Sequence, residues 1–154
     1  MKTRAIAFTI TLCFLSTALC LAQGAHMGTW KLNEAKSKLA AGTAKNSSVV
    51  YEAAGDDVKV TVDGTNPDGS AAHSEWTGKF DGKDYAVTGD PTADTRAYKV
   101  VNPNTLSMTV KKGGKVTLTG TIVVSADGKT RTVTTSGVDS KGKKFKNVAV
   151  YDKQ

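Results

Sequence analysis

From residue 27 onward the chain alternates apolar and polar positions with a period of two. Val58, Val60 and Val62 share one face, with Lys59 and Thr61 opposite. Val116, Leu118, Gly120, Ile122 and Val124 share another, opposed by Thr117, Thr119, Thr121 and Ser125, and Leu106, Met108 and Val110 repeat the pattern against Thr105, Ser107 and Thr109. One apolar face at this period marks antiparallel strands with one buried side. Between the runs stand Gly55-Asp56, Asp81-Gly82, Asn102-Pro103-Asn104, Gly113-Gly114 and Asp127-Gly128. These are connectors able to supply a positive or a fixed φ, and loops this short make consecutive strands antiparallel neighbours.

Nine such turns predict ten strands, near residues 27–33, 47–54, 57–63, 71–80, 84–89, 94–101, 105–112, 115–125, 130–138 and 144–153. One or two could merge, so the expected fold is all-β, an antiparallel up-and-down β-barrel of 8–10 strands. One stretch breaks the rhythm. Asn33 to Ala41 holds good helix formers, with Asn33 able to cap and Gly42 to stop, which predicts a short helix after strand 1 that could lid one end.

Composition agrees with the pattern. From Gln23 onward there are sixteen Val and seventeen Thr but only four Leu and one Ile, and β-branched residues fit a pleated surface. Residues 1–22 read differently: Lys2 and Arg4 precede an apolar run from Ala5 to Ala22 with small residues at its end, the form of a cleaved signal peptide. No charged stop-transfer flank favours a retained anchor, and Leu19 stands where a lipoprotein signal wants a small residue before Cys20. Cleavage would leave a single domain over 23–154, exported to the periplasm or secreted, with neither cysteine retained. About 132 residues can bury roughly two-thirds of their unfolded surface without a disulfide.

The net charge of +7 becomes +5 without Lys2 and Arg4, and it is unevenly spread. Residues 23–110 carry nine Lys/Arg against eleven Asp/Glu, residues 111–154 ten against three. The basic third, with Lys111, Lys112, Lys115, Lys129, Arg131, Lys141, Lys143, Lys144 and Lys146, could meet an anionic surface. Lysine at strand edges and turns also blocks edge-to-edge aggregation. With Phe145 and Tyr151 the only stacking residues there, a nucleic-acid partner is not expected.

Catalytic chemistry finds little footing. There is no Gly-x-Ser-x-Gly elbow, phosphate loop, dinucleotide fingerprint or cysteine nucleophile after residue 22. Asp81, Asp84, Asp90 and Asp94 sit near turns, where Asp satisfies backbone amides. His73 and Glu75 share a strand face without a third metal ligand at a recognisable spacing, and His26 lies in a terminus expected to fray. Asn66, Asp68, Gly69 and Glu75 match part of a calcium loop, but Gly64 occupies its first position and flanking helices are lacking. No metal, no cofactor and no enzyme activity are expected.

GTWKL at 28–32, the meander, and VAVYDK at 148–153 together resemble the calycin superfamily, most closely the lipocalin and fatty-acid-binding-protein-like β-barrels. In that resemblance Gly28 and Trp30 are the opening Gly-x-Trp that closes the barrel base, and Tyr151 is the tyrosine that helps hold a carboxylate in fatty-acid-binding proteins. Their partner arginine is replaced here by Ala149, for which Lys146 or Arg131 could stand in. The connector after strand 1 is too short for their paired-helix portal, and the Thr-Asp-Tyr motif of lipocalins is absent. GTWKLNEAKSK is also similar to small exported bacterial proteins of unassigned function.

Only eight aromatics and few Leu or Ile remain to fill a barrel, and ten strands enclose more than eight do. The leading expectation is therefore an exported, non-enzymatic protein holding a small apolar or amphipathic ligand in a barrel cavity. Trp76, Tyr85, Tyr98, Met108, Leu118 and Tyr151 are the candidate lining residues, although Trp76 also reads as core among Ala72, Ser74, Gly78 and Phe80. Trp30 reads as structural, with Lys146 or Arg96 able to pack across its face. The alternative is an envelope interaction protein binding anionic glycan, lipid headgroup or protein through Lys111, Lys112, Lys115, Lys141, Lys143, Lys144 and Lys146.

Overall fold

A computed structural model of the protein describes residues 24–138 and 142–154. The signal segment 1–22 and Lys141 lie outside the described residues. Ten strands form in chain order: β1 Gly28–Leu32, β2 Lys45–Ala54, β3 Asp57–Thr65, β4 Ala71–Gly78 and β5 Tyr85–Thr88. β6 Thr95–Asn102, β7 Thr105–Lys112, β8 Lys115–Val124, β9 Thr130–Val138 and β10 Lys144–Lys153 complete the set. Each strand pairs antiparallel with its neighbour in sequence, and β1 pairs with β10, so the sheet closes as a barrel. The turns after β2, β6 and β8 lie at the end called here the base. Those after β1, β7 and β9 lie at the mouth.

Local chemistry explains where the ladder bends. The β2–β3 register shifts between Asn46 and Ser48, a bulge. Gly64 faces it so closely that a Cβ there would run into the Lys45 carbonyl. β5 is the weakest seam, with two residue pairs to β4 and two to β6. Tyr85 reinforces it by laying its ring over Gly78, where any side chain would collide.

The base half is packed with aromatics. Trp76 stacks on Phe80 at 6.3 Å and 17°, and meets Tyr98 edge-on at 4.8 Å and 82°. Its indole N–H donates to the Arg96 carbonyl at 2.8 Å. Trp30, Val58, Val60, Leu106, Ile122 and Val124 complete the buried cluster. Offset and edge-to-face pairs of this kind add about 0.5–1.5 kcal/mol each beyond area burial.

One expectation is narrowed and one is corrected. The helix foreseen over Asn33 to Ala41 is a single 3₁₀ turn, Glu34–Lys36, capped by the Asn33 side chain accepting from the Lys36 N–H at 3.1 Å. The chain leaves it early because β10 offers better backbone partners: Lys38 and Val148 exchange N–H···O bonds of 2.7 and 2.8 Å. His26 is not frayed but fully buried, its carbonyl accepting from the Trp30 indole N–H at 2.9 Å.

Candidate functional site

Strand register brings an arginine into the barrel. On β9, Arg131 lies directly opposite Tyr151 of β10 and Val124 of β8, both buried, so it shares their inward face. Its side chain is 2 % exposed. The guanidinium carbon sits 4.7 Å from the Tyr151 ring centre, 5.1 Å from Tyr51 and 5.4 Å from Trp30. Such contacts contribute about 0.5–2 kcal/mol each when desolvated. They do not satisfy its N–H groups: Nε and Nη1 have no hydrogen-bond acceptor among the described residues.

A second guanidinium points inward from β6. Arg96 faces Val110 across the ladder, on the same face as Tyr98. Nη2 lies 3.5 Å from Asp90 Oδ2 and Nη1 3.5 Å from the Tyr98 hydroxyl, both long contacts, and Nε is buried without an acceptor. Burial above all, then the neighbouring Tyr98, pushes the Tyr51 phenol well above its ordinary range. Burial likewise raises Tyr151. Both phenols stay neutral hydrogen-bonding groups, so they do not offset the Arg131 charge, whereas Arg96 has Asp90 beside it.

Toward the mouth the inner wall is less fully covered than at the base. Met108 pairs with Gly120, and Val110 with Leu118, on the face that buries Leu106 and Ile122. Val133 and Thr135 continue that face on β9, opposite Ile122 and Gly120. Met108, Leu118, Val133 and Thr135 are nonetheless only half-buried, whereas Val58, Val60 and Trp76 on the far wall are fully covered. Inward side chains in mid-strand stay accessible when space remains beside them.

At the start of β8, the end of β9 and the start of β10 lies an open cavity of about 580 Å³. Its lining comes from both faces of the sheet: Val116, Leu118, Gly137 and Phe145 from the inward register, and Thr117, Thr119, Ser136, Val138, Lys144 and Lys146 from the outward one. The Phe145 ring lies over Gly137, where an added Cβ would come within 3.0 Å of it. The volume falls in the range of small-molecule sites.

The residues singled out from sequence separate into groups. Leu118 lines the open cavity, and Met108 is half-buried on the same inner wall. Trp76, Tyr98 and Tyr151 are buried in the core cluster, with Tyr85 half-buried against it. Gly28 and Trp30 stand at the base, but the cations over the Trp30 ring are Arg131 at 5.4 Å and Lys153 at 5.2 Å. This corrects the expected pairing with Lys146 or Arg96, which belong to other parts of the barrel.

Among the lysines, Lys144 and Lys146 reach the cavity rim. Lys111 pairs with Asp84 at 2.6 Å and Lys112 with Asp94 at 2.7 Å. Lys115 and Lys143 are exposed near the mouth. His73 is an exposed partner of Asp63 at 2.7 Å. Sequence reasoning missed Phe145 and Gly137 at the rim and Tyr51 and Arg96 inside. For Arg131, two residues before Val133 and thus on its face, the period-two signal was available.

No protein-family model matches the chain, and no curated protein sequence is similar to it. The chain is similar in fold to a solved structure described as EF1p2_mFAP2b bound to DFHBI. The TM-score is 0.51 at 12 % identity, covering 89 % of this chain and 100 % of that one. A second, described as a redesigned beta barrel, mFAP1, bound to DFHBI, gives a TM-score of 0.45 at 16 % identity over 86 % and 98 %. At these identities the likeness concerns the barrel alone.

Proposed function

We propose that the protein is an exported, non-enzymatic binding protein, periplasmic or secreted, that holds a small apolar or amphipathic molecule inside its barrel. The observation that carries this reading is the half-buried inner wall of Met108, Leu118, Val133 and Thr135, of which Leu118 also lines an open cavity. Apolar contact there supplies the affinity, and a few polar groups fix the orientation. Arg131, with acceptor-less nitrogens at the base, favours a ligand whose anionic end enters toward it. Where the resemblance to fatty-acid-binding proteins would put an arginine, position 149 holds Ala, and on this reading Arg131, directly opposite Tyr151, takes that role. A similar barrel that holds DFHBI is compatible with a small-molecule occupant.

Native mass spectrometry of the protein purified from its producing cells tests this. A discrete, solvent-extractable extra mass of lipid or metabolite size is expected. A bare mass, together with no uptake of a medium-chain fatty acid by calorimetry, refutes the cavity reading.

A second reading keeps one specific support: Val116 and Val138 are 55 % and 48 % exposed beside Lys144 and Lys146. An apolar tip flanked by lysines suits an anionic surface. The pairing of Lys111 and Lys112 with Asp84 and Asp94 reduces the charge such a surface would meet.

A further inference from the structure

The base of the barrel is closed by the segment that precedes β1. Met27 packs on the core cluster, and the His26 imidazole is 0 % exposed, its edge against the Phe80 ring at 6.4 Å between centres. The segment's tie to the strands is the Trp30 indole N–H donating to the His26 carbonyl. Neither imidazole nitrogen has a hydrogen-bond partner among the described residues. A neutral ring can be buried in that way at modest cost, whereas a charged one cannot.

The charged groups whose fields reach His26 are Arg131 from β9 and Lys153 from β10, both cations. Lys153 also lies over Trp30 and along Gly28, 3.2 Å from where a Cβ would stand. Trp30 from β1 and Phe80 from the β4–β5 connector contribute no charge, and Tyr51 from β2 stays neutral. Protonation would add a positive charge beside the buried Arg131 and the exposed Lys153, with no carboxylate acting on the ring among the described residues.

We propose that His26 is a proton-operated latch: neutral, it holds residues 24–27 across the barrel base beneath Arg131; protonated, it leaves the core and opens that end. The latch stands apart from the ligand reading, because it operates in the ligand-free protein. Its consequence for a ligand rests on that reading, since the base it uncovers is the one Arg131 occupies.

Burial first, then Arg131 and Lys153, lowers the His26 pKa from 6.5 to about 4. Because the open form binds the proton more tightly, stability of the closed form is lost as pH falls through 6.5. By linkage the open form gains about 30-fold at pH 5 relative to pH 7.5. At pH 5 the carboxylates of Glu75, Asp94 and Asp152, held below their ordinary values by their hydrogen bonds, remain ionised.

The test is indole N–H exchange by NMR. Trp76, bonded to the Arg96 carbonyl, is an internal control for Trp30. After correction for intrinsic rates, Trp30 exchange should rise about 30-fold from pH 7.5 to pH 5 while Trp76 stays unchanged. His26→Phe should abolish the rise. Equal rises at both indoles, or a rise that persists in His26→Phe, overturns the latch. If that variant does not fold, the imidazole titration decides: His26 and His73 are the chain's two histidines. A His26 midpoint below 5 supports the latch, and one near 6.5 overturns it.

Discussion

Replacing Arg131 by Met separates a ligand-binding arginine from a structural one. In the ligand-free barrel two opposing contributions meet at this residue. The two buried donors without acceptors, Nε and Nη1, cost about 1–3 kcal/mol each. The three rings around the guanidinium return about 0.5–2 kcal/mol each. The ranges nearly cancel. Met keeps the length and apolar stem and adds sulfur–aromatic contact of about 0.3–1.5 kcal/mol. Arg131→Met should therefore change ligand-free stability by no more than about 1 kcal/mol. An anionic ligand, by contrast, loses a charge-assisted hydrogen bond of about 1.5–3 kcal/mol, a weakening of about 10- to 150-fold. Urea denaturation and calorimetric titration with a fatty acid measure the two effects in parallel. A stability loss above about 3 kcal/mol, roughly 10 °C in melting temperature, with unchanged affinity would refute the reasoning and make Arg131 a structural pin.

Trp30→Ala removes a fully buried indole, its hydrogen bond to His26 and two cation contacts, so a loss of about 3–5 kcal/mol is expected by thermal denaturation. An unchanged melting temperature would sink the structural assignment of this residue. Gly78→Ala should cost about 1–3 kcal/mol through collision with the Tyr85 ring, and Tyr85→Ala should relieve most of it in a double-mutant cycle. Raising salt from 0.1 to 1 M shortens the Debye length from about 10 to 3 Å. Binding inside the barrel should then change by less than about threefold, whereas surface binding through Lys144 and Lys146 should fall steeply.

The ladder was legible because its signals are local. Alternation such as Val58-Lys59-Val60-Thr61-Val62 and connectors such as Gly113-Gly114 act between near neighbours in the chain. Ten strands appear close to where the pattern places them. The short helix after β1 forms but stops early for a non-local reason: Asn33 caps its turn as expected, and Lys38 then finds Val148, more than a hundred residues away. The expectation for His26 failed for a non-local reason too, since the Trp30 donor and the Phe80 wall that bury it come from the closed barrel.

The candidate site was less legible than the fold. Leu118 and Met108 could be assigned to the inner face from parity, but parity does not say which part of that face is filled. The packing of Trp76, Phe80, Tyr98 and Tyr51 at one end, and the half-covered Val133 and Thr135 near the other, follow from how large and small side chains are distributed around the closed sheet.

By itself, the order of residues determined an antiparallel meander of eight to ten strands and its apolar faces, because each depends on side-chain period and turn chemistry within about ten residues. Tertiary structure alone decided that β1 meets β10, that Lys153 and Arg131 share the Trp30 ring, and that Arg131 stands opposite Tyr151 in an apolar interior. Those outcomes depend on the summed register of ten strands closing on themselves. A side chain's solvation is then set by partners across the barrel, beyond the reach of any local pattern.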